Sequence, residues 1–206
     1  MRTASQILYN FHWIVPGEAA RSAQAFVLLL RPLLEKNAIK SIVNLRGGHP
    51  DIGWWRREKR LCEDMHVAHF DVPLDSRHLP TRAMLELLLD AFDAAKRPLL
   101  MKCSGGQDRT SFAASLYILH RGGWEARGVA LEQFRAMPYL HFPRRHQKWL
   151  KPFATYAESE SRGAPLANWI RREYDPNAFA SWLTDNGLSG SFKEIYARPR
   201  DRLKRV

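Results

Sequence analysis

The sequence predicts an α/β domain with a mostly parallel central sheet flanked by helices, and a short helical extension at its C-terminal end. Three observations predict it. Short apolar runs and amphipathic stretches alternate from Phe11 to His120. Gly and Pro punctuate the junctions between them. The composition then shifts after Ser161-Arg162-Gly163-Ala164-Pro165, which divides the chain into a domain over residues 1–160 and an extension over 161–206.

The elements follow in order. Phe11 to Val15 reads as a strand ended by Pro16-Gly17. Ala25 to Asn37 reads as a helix, with Pro32 weakening its first half. Ile39 to Leu45 is β-branched and short, the pattern of a buried strand, and Gly47-Gly48-His49-Pro50 is a loop. Asp51 to Asp64 is a polar helix, and Ala68 to Leu74 is a further strand. Thr81 to Ala95 is an amphipathic helix with Thr81 as its N-cap, closed by Arg97-Pro98. Leu99 to Lys102 is a short apolar strand, Ser104-Gly105-Gly106 a turn, and Thr110 to His120 a helix stopped by Gly122-Gly123. Trp124 to Glu160 accommodates two or three helices packed on the sheet. In the extension, Trp169, Tyr174, Phe179 and Trp182 are anchors, and the basic run from Arg198 to Arg205 is expected to be mobile.

Bulk chemistry narrows the partners. Lys and Arg number 32 against 21 Asp and Glu, an excess of +11 that favours phosphate esters, nucleic acid or an anionic lipid surface, or simply a solvated basic face. The two cysteines, Cys62 and Cys103, form neither a disulfide framework nor a four-ligand metal site, and point to a reducing, cytoplasmic setting. The N-terminus lacks a signal-peptide pattern. The apolar stretch from Ala25 to Leu30 stops at Arg31-Pro32, far short of the roughly 20 apolar residues a membrane span needs. The histidines show no metal-site spacing, so neither a metal nor an organic cofactor is implied.

The most informative segment is Leu99-Leu100-Met101-Lys102-Cys103-Ser104-Gly105-Gly106-Gln107-Asp108-Arg109-Thr110. A cysteine leaves a strand, a glycine-bearing loop follows, and an arginine opens a helix. Such a loop turns successive backbone N–H groups inward, where the helix N-terminus adds its positive end. The cradle suits a tetrahedral dianion, and its field lowers the pKa of Cys103 below the free value of about 8.5. A thiolate there is placed to attack phosphorus. Arg109 can hold two equatorial oxygens bidentately, which Lys does not reproduce. The Thr110 hydroxyl is placed to hydrogen-bond the sulfur and ease its departure. A buried cysteine before a turn also occurs as a plain apolar filler, but strand, glycines, helix and hydroxyl here agree.

This segment resembles the active-site loop of the protein tyrosine phosphatase superfamily, Cys-x5-Arg followed by Ser or Thr, with Gly106 where that family also has glycine. Cys103 to Thr110 is similar to the loop of myotubularin-type lipid phosphatases, differing at Gly105 and Gln107. Arg21-Ser22-Ala23-Gln24, Ile39 to Arg46 and Pro73-Leu74-Asp75 resemble small dual-specificity phosphatases in order. The resemblance covers about residues 10–157 and implies a phosphatase-like fold and a phosphocysteine mechanism. It places Ser104, Gly105, Gly106, Gln107 and Asp108 around the phosphate, and Lys102 beside them where the family usually has His.

A monoester also needs a general acid within hydrogen-bond reach of the ester oxygen. Two carboxyls compete. Asp75, in Val72-Pro73-Leu74-Asp75-Ser76-Arg77-His78-Leu79-Pro80, lies 28 positions before Cys103, at the separation the dual-specificity resemblance implies. Asp108 corresponds to an aspartate that the myotubularin resemblance implicates. Asp75 is the first choice and Asp108 the alternative; either can instead be a turn, cap or loop-bracing carboxylate. His78 is a weaker third choice, and Asp71 falls within a strand. Arg46, at a strand end before Gly47-Gly48, and Arg77, in the acid loop, are substrate-contact candidates, with salt bridging as the alternative. Cys62 is read as a buried spectator rather than a redox partner of Cys103. His141 to Trp149 interleaves basic and aromatic residues, either for phospholipid or nucleic acid or, more simply, as a solvated basic face.

The expectation is a cysteine-dependent protein tyrosine or dual-specificity phosphatase. A phosphoinositide or phospholipid phosphatase is the alternative, with peripheral contact to an anionic membrane, and a non-catalytic phosphate-binding module the third reading. Nucleic acid is not expected as a partner, because no recognition motif accompanies the charge.

Overall fold

A computed structural model describes residues 4–25 and 27–196. The basic run from Arg198 to Arg205 lies outside the described residues. Five strands form one sheet: β1 (His12–Val15), β2 (Ala19–Ser22), β3 (Ser41–Asn44), β4 (Ala68–Asp71) and β5 (Leu99–Lys102), in the spatial order β1-β2-β5-β3-β4. β1 pairs antiparallel with β2, and every other pairing is parallel. β5 is the central strand, and its four residues are all buried, as expected for a parallel strand covered on both faces.

Helices α1 (Ala4–Tyr9), α2 (Val27–Lys36), α3 (Gly53–Asp64), α4 (Arg82–Ala94) and α5 (Asp108–Gly122) alternate with the strands. They divide the core in two. Ala20, Ile42 and Leu100 face Leu30, Leu33 and Leu34 of α2 and Leu61 and Cys62 of α3. Ala19, Val43, Leu99 and Met101 face Leu85, Leu88 and Phe92 of α4 and Phe112, Leu116 and Leu119 of α5. The alternation follows the period of two along each strand. Thr81 caps α4 as its sequence position predicts, accepting from Met84 N.

The later segment from Trp124 to Glu160 holds two α-helices, α6 (Arg127–Glu132) and α7 (Pro152–Ser161), and two single 3-10 turns. Helices α8 (Leu166–Arg172) and α9 (Pro176–Asp185) lie in the extension. Trp169, Tyr174 and Phe179 are buried in the same cluster as α4, α5 and α7, and Trp182 packs on its edge.

Two differences from the sequence reading have clear causes. β2 has no β-branched or aromatic residue, so propensity gives no signal; it is a strand because β1 and β5 pair with it on either side. The expected strand from Ala68 to Leu74 ends at Asp71, because Pro73 has no N–H to give the ladder and keeps only one bridge, with Arg46.

Candidate active site

The site forms where β5 ends, between the parallel neighbours β2 and β3, the place where an α/β sheet opens a crevice. Cys103 leaves β5, and α5 begins at Asp108. The loop between them is tied from outside by its carbonyls. Gln24 N donates to Ser104 O at 3.1 Å. Asn10 Nδ2 donates to Gly106 O at 3.0 Å, and Arg21 Nη2 donates to the same oxygen at 2.9 Å. With the carbonyls held outward, the N–H groups of Gly106 and Gln107 turn in and hydrogen-bond the Cys103 sulfur. Gly106 itself has φ +64°, and a Cβ there would lie 2.5 Å from Ala23 N, so the curl and the close approach to β2 both require glycine.

Cys103 is 3% exposed, at the base of the loop. Its burial disfavours the thiolate, but the Arg109 charge, the Thr110 hydroxyl and the Gln107 and Gly106 N–H groups outweigh burial and hold the thiol below its ordinary range. Thr110 Oγ1 donates to Sγ at 3.0 Å. Arg109 Nη2 donates to Ser104 Oγ at 2.9 Å, which turns the guanidinium over the loop, and Nη1 reaches Leu45 O at 3.5 Å.

A cavity of about 320 Å³ opens above the sulfur. Cys103, Ser104, Gly105, Gln107, Asp108 and Arg109 line one side of it, and Asp75, Ser76, Arg77 and Gln147 the other. Both candidate acids thus reach the same space. Asp75 Oδ1 accepts from Arg77 N at 2.7 Å and lies 3.1 Å from His78 Nδ1. Partial burial pushes its carboxyl up, but the Arg77 N–H, His78 and Arg109 prevail and hold it below the ordinary aspartate range. Asp108 Oδ2 accepts from Gln147 Nε2 at 2.8 Å, and its Oδ1 lies 3.4 Å from His141 Nδ1.

Other sequence candidates stand apart from the cavity. Lys102 shares the α3 side of β5 with Leu100, one position out of step with Cys103, so its side chain runs away from the phosphate cradle. Its Nζ pairs with Glu58 Oε1 at 2.5 Å, donates to Gln24 Oε1 at 2.7 Å, and lies 5.0 Å from the Trp54 ring. Burial lowers the Lys102 pKa against the opposing pull of Glu58. Arg46 stacks 3.8 Å above Trp54 and reaches Gln24 Oε1 at 3.4 Å, outside the cavity lining. Cys62 lies in the core cluster on the far face of the sheet from Cys103, and burial pushes its thiol up to about 12.

Four supporting residues are not among the site candidates that the sequence offers. Arg21 is fully buried, and besides Gly106 O it donates to Ser111 Oγ at 2.8 Å and to Gln133 O at 3.1 Å while stacking on Tyr139. Asn10 also donates to Tyr139 O at 2.9 Å. Gln147 Nε2 donates both to Ser76 Oγ at 3.0 Å and to Asp108, joining the two walls of the cavity. Glu58 is fully buried against Lys102, Gln24 and His69. Their partners lie tens of positions away in sequence, so no local spacing marks them.

The profile of the Swiss Army Knife protein, DSP-PTPase phosphatase domain, matches residues 8–162. The chain belongs to this family. This DSP-PTPase domain is a cysteine-based phosphatase. No curated protein matches the chain significantly. Among solved structures it is similar to TpbA from P. aeruginosa, at 20% identity and TM-score 0.50, over 85% of this chain and 91% of that one. It is similar to PTPMT1 in complex with PI(5)P, at 13% identity and TM-score 0.54, over 73% and 98% of the two chains. It is also similar to a DUF442 phosphatase from Shewanella putrefaciens CN-32, at 18% identity and TM-score 0.56, over 74% and 95%. At these identities the likenesses speak to the fold. The DSP-PTPase match stops short of α8 and α9.

Proposed function

We propose that this DSP-PTPase domain hydrolyses phosphate monoesters of proteins through a phosphocysteine intermediate. The observation that carries the reading is Cys103 at the base of the cavity, with inward N–H groups, the Thr110 hydroxyl and Arg109 converging on it. The Cys103 thiolate attacks phosphorus, and the phosphorus–oxygen ester bond breaks as the sulfur–phosphorus bond forms. The loop N–H groups and Arg109 hold the equatorial oxygens. Asp75 gives its proton to the leaving oxygen, and Asp108 orients the far wall through Gln147. Asp75 then takes a proton from the water that cleaves the phosphocysteine, while Thr110 stabilises the departing thiolate. Ser104, Gly105, Gly106 and Gln107 supply the cradle, and Arg77 contacts the substrate beyond the phosphate.

A protein substrate is favoured over a phosphoinositide by the charge of the cavity. Arg77 and Arg109 are the basic residues in its lining, Lys102 is turned to Glu58, and Arg46 stacks on Trp54 outside the lining. A headgroup with several phosphates needs more positive charge than that.

The test is hydrolysis of para-nitrophenyl phosphate with chelator present. Cys103→Ser and Arg109→Lys are each expected to lose at least about two orders of magnitude in kcat/KM. A phosphatase that keeps its rate as Cys103→Ser would refute the mechanism. Rates on phosphotyrosine peptides and on soluble phosphoinositides then separate the substrate classes.

A further inference from the structure

The loop that carries Asp75 is held by a segment from the far end of the chain. Residues 193–196 run beside residues 77–79: Lys193 N donates to Arg77 O at 2.8 Å, Leu79 N donates to Glu194 O at 3.0 Å, and Tyr196 N donates to Leu79 O at 2.9 Å. These bonds make Leu79 and Ile195 a parallel β-bridge. Side chains continue the contact. His78 is buried between the two segments, with Nε2 3.3 Å from Glu194 Oε1, Nδ1 3.1 Å from Asp75 Oδ1, and its ring edge-on to Tyr196 at 6.4 Å. The segment is anchored just before this by Phe192, whose carbonyl lies 3.3 Å from His146 Nδ1.

We propose that residues 193–196 are a strap that positions the general acid, with Glu194 and Tyr196 acting on Asp75 through His78. The inference rests on the reading of Asp75 as the acid. The family match ends at residue 162, so the strap lies outside the matched region. An acid on a surface loop delivers its proton only while the loop holds it within a fraction of an ångström of the leaving oxygen. Here three interstrand backbone bonds and one buried imidazole supply that hold from outside the loop. Glu194 and Tyr196 are positioning residues: neither lines the cavity.

The experiment uses the full chain and compares an alkyl phosphate, whose leaving group needs protonation, with para-nitrophenyl phosphate, whose leaving group scarcely does. Three forms are compared with wild type: Glu194→Gln, a Lys193→Pro/Tyr196→Pro double variant that deletes two strap N–H donors, and Asp75→Asn. The strap variants are expected to lose about tenfold in kcat/KM, which reports the steps up to the phosphocysteine, on the alkyl phosphate and less than about twofold on para-nitrophenyl phosphate, as a weaker copy of Asp75→Asn. The rate of Cys103 alkylation by iodoacetamide is expected to stay at the wild-type value, because the strap does not touch the cradle. Equal rates on both substrates, or an equal loss on both, would overturn the strap. If Asp75→Asn itself shows no dependence on the leaving group, the acid assignment falls and the strap falls with it, an outcome read directly from that variant.

Discussion

At Gly106 a single hydrogen atom decides whether the phosphate cradle can close against β2. Gly106→Ala meets both a left-handed φ of +64° and a backbone nitrogen 2.5 Å from the added carbon. It is expected to cost roughly 2 kcal/mol or more in stability and at least about tenfold in kcat/KM, checked by urea unfolding and para-nitrophenyl phosphate turnover. Asp75 sets the other residue-scale expectation. In the proposed mechanism, activity needs Cys103 ionised and Asp75 protonated. Cys103 is held below its ordinary range, so the rising acid limb lies below the pH at which a free thiol ionises. Asp75, against its partial burial, is also held low by the Arg77 N–H and His78, so its proton is lost as pH rises and the alkaline limb falls early. The kcat/KM profile of the free enzyme is therefore a bell with an acidic optimum, and Asp75→Asn is expected to remove its alkaline limb. An alkaline limb that persists in Asp75→Asn and is removed in Asp108→Asn would transfer the role to Asp108.

At the scale of elements, β5 and α3 meet in a buried ion pair. Lys102 and Glu58 are 2% and 0% exposed, and Gln24, His69 and Trp54 close around them. Although burial raises it, the Glu58 carboxyl is held at about 2 by His69, Lys102 and Gln24. Its folded value is below the unfolded value of about 4.3, so its contribution is complete above that pH and is lost as pH falls toward 2. Wild type is thus expected to lose urea stability more steeply between about pH 5 and pH 2.5 than Glu58→Gln does. Glu58→Ala strands the Lys102 ammonium and is expected to cost about 3–5 kcal/mol near neutrality, measured the same way. Because the Gln24 backbone holds Ser104, the same variant is expected to lower turnover as well as stability.

At the scale of the molecule, the extension is part of one core. Leu166, Trp169, Ile170, Tyr174, Phe179 and Leu183 pack with Phe112, Trp149 and Phe153 in the cluster that backs β5 and α5. Residues 163–196, which the family profile does not cover, therefore support the site from behind through α8 and α9 and from the side through the strap. A chain ending at Ser161 exposes Trp149 and Phe153 to water and is expected to show weakened near-ultraviolet circular dichroism and dye binding typical of loose packing. Turnover should be lost with the packing. An unchanged thermal midpoint would mean that the first 161 residues form an independent unit.

Sequence alone determined the parts whose physics is local. From Ile39 to His120 the order of strands and helices follows from periodicity and from Gly and Pro punctuation. The cradle follows from a Cys, two glycines, an Arg and a Thr within one turn of chain, because backbone N–H groups, a helix N-terminus and a thiolate all act over a few residues. Tertiary structure alone decided what depends on distant partners. It made a strand of Ala19 to Ser22 through pairing, turned Lys102 from the phosphate side to Glu58 through strand parity, and put Cys62 and Cys103 on opposite faces of the sheet. It also recruited Arg21, Asn10 and Gln147 to the loop and brought residues 193–196 beside the segment that carries Asp75. The reason is that burial and hydrogen-bond satisfaction are properties of neighbours in space, and those neighbours lie tens of residues apart along the chain.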